Sequence, residues 1–328
     1  MPANLSPEYK RAEERYRASR TPEEKLDALH EMLSTIPKHK GTEKMQADIK
    51  RRIAKYSEGS GKKGAKRFDF YFVPKEGAGQ VILVGAPNSG KSSLLATVTN
   101  AHPVIGDYPY STSKPIWGMM FFENVQIQLV DLPPISEDYT EGWVFGIIRN
   151  ADVLVFVVDL SDDELLEQYS SLIENLGNHK IIPQKEITED FDDPAIKQIR
   201  TFVIASKSDK VLDNENMELL DLEINGKFEI FKTIADKEWN SNEFKRKVFE
   251  YLEVIRVYTK EPGKDADKAD PVILHGGAKL KDFAKSIHKD FSVKLKYARI
   301  WGEDVYPGQK VQHDFELRDE DIIELHIK

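Results

Sequence analysis

The stretch Gly85-Ala86-Pro87-Asn88-Ser89-Gly90-Lys91-Ser92 decides how the chain is interpreted, because it matches the phosphate-binding pattern GxxxxGK[ST] at every fixed position. The apolar, β-branched run Val81–Val84 precedes it and is typical of a parallel strand buried on both faces. The residues that follow, Ser93–Val98, predict the opening of a helix. Strand, glycine-rich turn and helix start together predict a phosphate-binding loop. The alternative is a glycine turn that joins a core strand to a helix.

The chemistry expected of this loop follows from the free backbone groups of a helix start. N–H groups without an intrahelical partner point into one concavity, where they bind phosphate oxygens. Lys91 is expected to neutralise the β- and γ-phosphates of a nucleotide, and the Ser92 hydroxyl to bind Mg²⁺. The predicted nucleotide contacts in this stretch are Pro87, Asn88, Ser89, Gly90, Lys91, Ser92 and Ser93.

Length and composition predict a cytoplasmic protein of two or three domains. The 328 residues exceed one typical domain, and no run approaches the ~20 apolar residues that cross a membrane. The absence of cysteine excludes disulfides, thiolate zinc sites and cysteine nucleophiles. A net charge of −9 argues against wholesale non-specific binding of nucleic acid and leaves room for a local basic patch. We expect no membrane partner.

The first part of the chain predicts helices that are separated from the rest by a basic linker. Residues 1–60 form the predicted helical segment, and the linker runs to about residue 75. Apolar side chains at Leu26, Leu29, Met32 and Leu33 share one helix face. Packing on a neighbouring helix is the favoured interpretation, and binding of a regulatory protein is the alternative. The linker is either solvated or in contact with RNA phosphate.

Four apolar runs alternate with polar, partly helical sequence and predict a doubly wound α/β sheet within residues 76–260. They are Val81–Val84, Val125–Val130, Val153–Val158 and Thr201–Ala205. Ligands of such sheets bind beyond the carboxyl ends of the strands. The residues after two runs are therefore candidates for the site: Asp131, for Mg²⁺, and Ser206-Lys207-Ser208-Asp209.

These motifs, in this order behind the phosphate-binding loop, resemble the motif set of small GTPases. In that set the aspartate of [NT]KxD, here Asp209, accepts two hydrogen bonds from guanine. Tyr108-Pro109-Tyr110-Ser111-Thr112 resembles the YxFTT switch I of the Obg superfamily. Ile255–Lys264 resembles the hinge of the developmentally regulated GTP-binding (DRG) proteins. Further matches are Ile36–Glu43, Asp131-Leu132-Pro133 and Trp239-Asn240, so that the resemblance runs from about Ile36 to Lys328.

The resemblance implies a P-loop GTPase domain that binds GTP and GDP with Mg²⁺. Ser206, Lys207 and Asp209 would bind the guanine base, together with Ala235 of a blurred fifth motif. Ser92, Thr112 and Asp131 would hold the metal ion. Lys91, Thr112 and Asn88 are the implied catalytic residues, since Asn88 occupies the position that binds K⁺ in GTPases without a catalytic glutamine.

Departures from the family pattern predict slow hydrolysis and a weak switch. Pro134 replaces the glycine of DxxG and has no N–H to donate to the γ-phosphate. One charge-assisted hydrogen bond contributes on the order of 1.5–3 kcal/mol, so its loss blunts GTP over GDP discrimination by about one or two orders of magnitude. Ser206 replaces the asparagine of NKxD, and Ile135 and Ser136 stand where a catalytic glutamine would follow. We therefore expect K⁺-stimulated hydrolysis, with Thr112 closing over Mg²⁺ and the attacking water.

The tail, residues 268–328, predicts a small β-grasp module of β-α-β-β order and is similar to a TGS domain. Its predicted elements are the strand Pro271–Leu274, the helix Leu280–Asp290, the strand Leu295–Trp301 and the strand Ile322–Ile327. In the family this module is associated with ribosomes and RNA. Its lysines indicate either such a contact or a solvated helix face, since lysines alone carry no sequence readout.

The leading hypothesis is a GTP-binding switch of the Obg/DRG type, linked to ribosome or RNA. The alternative is a catalytically impaired, nucleotide-binding scaffold that recruits RNA or protein through its TGS domain. Pro134 and Ser206 favour the scaffold, whereas the intact loop, Thr112, Asp131 and Asp209 favour the switch. An adenine-nucleotide enzyme is a third, weaker hypothesis.

Overall fold

The computed structural model divides into two units, Met1–Met120 with Gln128–Ser241, and Phe121–Ile127 with Asn242–Lys328. The structure describes residues 5–19, 22–37, 42–58, 73–99, 104–105, 114–135, 140–187, 191, 193–211, 214–233 and 241–327. In these parts of the chain no helix is both long and apolar enough to cross a membrane.

The predicted amino-terminal segment contains three helices, α1 (Pro7–Ala18), α2 (Pro22–Thr35) and α3 (Glu43–Glu58). Helix α2 begins at Pro22, whose missing N–H is no loss at the first helical position. Ser6 joins the first two helices, because its hydroxyl accepts the Tyr9 N–H at 3.2 Å and donates to the Thr35 carbonyl at 2.9 Å. The apolar stripes face one another, and their buried core is Tyr9, Ala12, Leu29, Met32, Ile36 and Ile49.

An eight-stranded sheet forms the centre of the first unit. Its strands are β1 (Gln80–Val84), β2 (Val104–Ile105), β3 (Ile116–Phe122), β4 (Val125–Asp131), β5 (Val153–Asp159), β6 (Ile181–Gln184), β7 (Lys197–Ser206) and β8 (Ile230–Lys232). The order is β2-β3-β4-β1-β5-β7-β6, with β8 also paired to β7. All four predicted runs are strands, and β1 pairs in parallel with both β4 and β5. The short strands β2, β6 and β8, and the strand β3, were not predicted.

The helices that cover this sheet are α4 (Lys91–Val98), α5 (Gly142–Asn150), α6 (Leu165–Asn178) and α7 (Glu215–Ile224). Every residue of β1 and β5 is buried, as expected of strands covered on both faces. Helix α2 packs on α5, where Gly146 leaves room for Ser34 and Thr35. The helical segment therefore packs on the sheet domain within one unit.

The described part of the second unit is a five-stranded sheet with three helices. Its elements are α8 (Asn242–Leu252), β9 (Val254–Lys260), β10 (Ala266–His275), α9 (Leu280–Ile287), α10 (Lys289–Lys294), β11 (Leu295–Trp301), β12 (Gln309–Val311) and β13 (Asp321–Ile327). The strand order is β10-β9-β13-β11-β12. The core of this unit lies between the sheet and helix α9, and it includes Val257, Phe283, Ile300 and Ile323.

Two details of this unit differ from the sequence prediction. The predicted helix Leu280–Asp290 is broken at His288, whose extended backbone ends α9 and whose side chain accepts the Asp290 N–H at 3.2 Å. The segment interpreted as a hinge forms β9, which pairs with both β10 and β13. The sheet therefore begins before residue 268, because the hinge residues complete its backbone hydrogen bonds.

We expect Gly85→Ala to destabilise the fold by about 1–3 kcal/mol, because the new Cβ would overlap the Val157 carbonyl oxygen in β5. Gly177→Ala in α6 is the matched control. A Cβ there meets nothing within 4 Å, so a gain of up to about 1 kcal/mol is expected from helix propensity. Urea denaturation of both variants measures the difference, and equal stabilities would contradict the close packing of Gly85.

Candidate nucleotide-binding site

The phosphate-binding loop connects the end of β1 to the start of α4. Gly90, immediately before α4, has a φ of 100°, a left-handed conformation that glycine adopts without steric cost. Asn88 has a φ of 60° and is exposed at the tip of the loop. The loop therefore has the backbone shape that its glycine spacing predicts.

Lys91 lies inside the curve of this loop, with only 6% of its surface exposed. Its ammonium donates to the carbonyl oxygens of Gly85 at 3.0 Å and Ala86 at 2.7 Å. Burial lowers the pKa of Lys91, and the charge of Asp131 offsets part of this effect. A buried cation held by neutral carbonyls is suited to an incoming phosphate, which would supply the missing negative charge.

Ser92 and Asp131 form the second part of the site. The Ser92 hydroxyl donates to Asp131 Oδ2 at 2.5 Å. Burial raises the pKa of Asp131, while the bond from Ser92 and the charge of Lys91 act in the opposite direction. Asp131 Oδ1 is buried and has no hydrogen-bond partner among the described residues. A free carboxylate oxygen beside a hydroxyl is a suitable donor set for Mg²⁺, which uses few protein ligands together with phosphate and water.

Ser206, at the end of β7, contacts the backbone of the phosphate-binding loop through its hydroxyl. Its Oγ lies 2.6 Å from the Ser89 carbonyl oxygen and 3.2 Å from that of Val158. The hydroxyl thus reaches the loop even though serine replaces the asparagine of the family motif.

Lys207 and Asp159 form an ion pair that the sequence analysis did not identify. Asp159 also accepts the Ser161 N–H at 2.9 Å and the Ser161 hydroxyl at 2.7 Å. Burial alone would raise the pKa of Asp159, but the hydrogen bonds from Lys207 and Ser161 outweigh it and lower the pKa. Asp159 ends β5 just as Asp131 ends β4, so the same strand-end rule would have selected it.

Asp209 lies in the turn after β7, where the Lys210 N–H donates to the Lys207 carbonyl at 3.0 Å. Its side chain is exposed, and among the described residues it has no hydrogen-bond or ion-pair partner. Its carboxylate is therefore accessible to solvent.

Of the other predicted site residues, some are exposed on the loop and some lie outside the described residues. Pro87 and Ser93 are exposed at the start and the end of the stretch formed by the loop and the first turn of α4. Thr112 and Ala235 lie outside the described residues, as does Ser136. Ile135, after the DxxP motif, is 8% exposed and packs in the domain core. The structure thus brings Lys91, Ser92, Asp131, Ser206 and Lys207 to one edge of the sheet.

Comparison with known families agrees with this arrangement. Residues 80–189 match the family described as 50S ribosome-binding GTPase, and residues 255–327 match the TGS domain. A protein from Arabidopsis thaliana named developmentally-regulated G-protein 3 is 26% identical to this chain. The alignment covers 92% of this chain and 98% of the length of that protein. The chain thus contains a GTPase domain and a TGS domain, and over most of its length it is similar to proteins named for the DRG family. Its GTPase and TGS domains confirm the family resemblance and the fold class that the motifs indicated.

Two further similarities were found. An uncharacterized GTP-binding protein from Methanocaldococcus jannaschii is 28% identical to this chain over 93% of both chains. That alignment spans 365 residues, more than the 328 of this chain, so the relative contains segments that are absent here. The G domain of the T. maritima FeoB iron transporter aligns with a TM-score of 0.38 and 23% identity, over 52% of this chain and 97% of that structure.

We expect Asp131→Asn to raise the unfolding temperature of the nucleotide-free protein at pH 7 in EDTA. Burial raises the pKa of Asp131 in the folded state above its unfolded value, so the ionised carboxylate costs stability at neutral pH. That cost appears as the pH rises from the ordinary aspartate range through the raised pKa, and the asparagine variant removes it.

The control for this measurement is Asp209→Asn, which neutralises an exposed carboxylate at the same edge of the sheet. Its unfolding temperature at pH 7 should match that of the parent chain, because substitution of an exposed side chain changes stability little. Thermal unfolding followed by circular dichroism compares the two. A lower unfolding temperature for Asp131→Asn would contradict the assignment.

Proposed function

We propose that this chain binds GTP and GDP with Mg²⁺ and hydrolyses GTP slowly. The observation that carries the proposal is the convergence of Lys91 with the Ser92–Asp131 pair, whose Oδ1 is buried without a partner among the described residues. A nucleotide phosphate and a divalent cation would together satisfy the buried cation and the free carboxylate oxygen.

In this proposal Ser92 and Asp131 hold Mg²⁺ directly or through water, and Thr112 completes the site when GTP is bound. When bound, the ion would supply Lewis-acid stabilisation of the charge that develops on the phosphate group. Lys91 contacts the same phosphates from within the loop. The first turn of α4 supplies free N–H groups, which favour an anion at this position.

The guanine base would bind Asp209, with Ala235 nearby and the stem of Lys207 covering the ring. The Lys207–Asp159 pair supports this role, because it fixes the direction of the lysine side chain. The Ser206 hydroxyl supports it as well, since it links the base-binding turn to the phosphate-binding loop through Ser89.

Hydrolysis would be slow because no glutamine is available after switch II to orient the water. The buried side chain of Ile135 supports this expectation, since it packs in the core and carries no polar group. Asn88 would hold K⁺ beside the phosphates as the charge stabiliser, and its exposed position at the loop tip is compatible with that role.

The proposed setting is a cytoplasmic switch linked to ribosome or RNA through the TGS domain. Lys281, Lys285 and Lys289 are exposed on α9 and α10, where they are accessible to phosphate. The apolar stripes of the amino-terminal helices are buried against one another. A regulatory protein would therefore bind the outer faces of these helices.

A nucleotide-binding scaffold without turnover is the second candidate, and Pro134 favours it. Proline has no N–H, so the γ-phosphate contact that closes switch II in related GTPases is missing. In the scaffold, GTP and GDP would bind alike, and recruitment through the TGS domain would not follow the nucleotide.

Calorimetric titration of the nucleotide-free chain with GTP, GDP and ATP in Mg²⁺ tests the proposal. We expect guanine-selective binding that Lys91→Ala weakens about 10- to 150-fold, since a charged hydrogen bond contributes about 1.5–3 kcal/mol. Asp209→Asn should abolish the preference for guanine, whereas Lys227→Ala, at an exposed position, should change nothing. Equal affinity for GTP and GDP would favour the scaffold, and absence of binding would refute both candidates.

Single-turnover hydrolysis in KCl and in NaCl tests the proposed role of Asn88. We expect K⁺ to accelerate the parent chain and Asn88→Ala to lose that acceleration while it retains GDP affinity. Asn178→Ala, at an exposed helix end, is the matched control and should behave like the parent chain. If Asn88→Ala kept both its rate and its response to K⁺, another group would have to be the charge stabiliser.

A further inference from the structure

A cavity of about 410 Å³ lies in the first unit, away from the nucleotide site. Its walls are the end of α2, the end of α5, and the residues that begin β5 and β7. The polar and charged residues that line it are Ser34, Lys75, Arg149, Asn150, Asp152 and Lys197. Its apolar wall is formed by Ile36, Pro37, Pro194 and Ile196.

This cavity lies at the opposite edge of the sheet from the phosphate-binding loop. Lys197 begins β7 and Asp152 immediately precedes β5, whereas the loop follows the last residue of β1. β1, β5 and β7 run parallel, and the start and the end of the seven-residue strand β5 are about 20 Å apart, at ~3.3 Å per residue. The two sites therefore use different residues.

The charges in the cavity do not cancel. Lys75 pairs with Asp152, whose Oδ2 also accepts the Gln80 N–H at 2.8 Å. This single acid in the lining is thus already bound to one cation. Lys197 has no carboxylate partner within ion-pair distance among the described residues, so its ammonium is available to a ligand.

Arg149 is fixed in place by neutral groups. Its guanidinium donates to the carbonyl oxygens of His179 at 2.8 Å and Lys180 at 3.4 Å, and to that of Ala195. These bonds orient the group and leave its charge uncompensated within the lining. A preorganised guanidinium costs a bound anion little ordering entropy.

The local field at Lys197 is positive. Lys197 is exposed as a residue, but partial desolvation in the cavity lowers its pKa, and the charges of Lys75 and Arg149 lower it further, against the effect of Asp152. Two carboxylates outside the lining, Glu8 on α1 and Asp193 before β7, also act on Arg149. Asp193 is already paired with Lys180 at 2.7 Å. An anion in the cavity would relieve the repulsion between the lining cations.

We propose that this cavity binds the phosphate group of a small phosphorylated organic molecule. Lys197 and Arg149 would contact the phosphate oxygens, and the wall formed by Ile36, Pro37, Pro194 and Ile196 would contact the ester group. The volume is that of a small-molecule pocket, and a concave site that combines an apolar wall with a few fixed charges is typical of such ligands.

The test uses the full chain with Lys91→Ala in the background, which weakens phosphate binding at the P-loop. Phenyl phosphate, inorganic phosphate and a short oligouridylate are titrated separately by calorimetry. We expect saturable binding of phenyl phosphate, weaker binding of inorganic phosphate, and about tenfold weaker binding of phenyl phosphate when Lys197→Gln is added. Lys227→Gln, on the same background and at an exposed position, should bind as tightly as Lys91→Ala alone.

Each outcome of this test decides the proposal. Absence of saturable phenyl phosphate binding to the Lys91→Ala chain, or binding that Lys197→Gln leaves unchanged, would overturn it. Inorganic phosphate that binds as tightly as phenyl phosphate would overturn the role of the apolar wall. A Lys197-dependent interaction with oligouridylate alone would assign the cavity to RNA instead. Because Lys91→Ala is present in every variant compared, an effect of Lys197→Gln reports on the cavity and does not depend on GTP binding.

Discussion

Parallel pairing of β1 with β4 and β5, and of β5 with β7, is the constraint on which the candidate nucleotide site depends. Parallel strands end at one edge of a sheet, so residues far apart in sequence meet there. Ser89, Asp131 and Ser206 are brought together in this way. A shift of one residue in any of these registers would turn the strand-end side chains to the opposite face.

The site carries polar groups that the ligand-free protein satisfies only in part. Lys91 and Asp131 are both buried, and burial shifts both pKa values toward the neutral form. Such groups destabilise the free protein, and they are retained where a ligand compensates for them. The carbonyl oxygens around Lys91 and the hydroxyl of Ser92 provide partial compensation, whereas Asp131 Oδ1 has none among the described residues.

The opposite edge of the sheet shows a different use of the same fold. There the strand starts, the end of α5 and the end of α2 enclose cations around a concave surface. Arg149 donates hydrogen bonds to backbone carbonyls, whereas the charge of Lys197 is repelled by those of Lys75 and Arg149. The packing of α2 on α5 is required for this cavity, since Ser34, Ile36 and Pro37 form one of its walls. The amino-terminal helices thus contribute to a cavity as well as to the core.

The sequence by itself determined the long buried strands, the phosphate-binding loop and the order of the motifs. Continuous apolar runs and glycine spacing are local signals, so Val81–Val84 and Gly85–Ser92 could be assigned without a structure. Strand β9 and the break at His288 were not predicted. A strand of mixed polarity is stabilised by its neighbours in the sheet, and backbone conformation at one residue leaves no periodic signal.

Only the tertiary structure decided which polar groups meet. The sequence identified Ser206 as a departure from the family motif, and its bond to the Ser89 carbonyl depends on how β7 lies beside β5. The Lys207–Asp159 pair and the cavity around Lys197 also join residues from separate strands and helices. Such contacts depend on how strands and helices pack against one another. The spacing of residues along the chain does not show this packing.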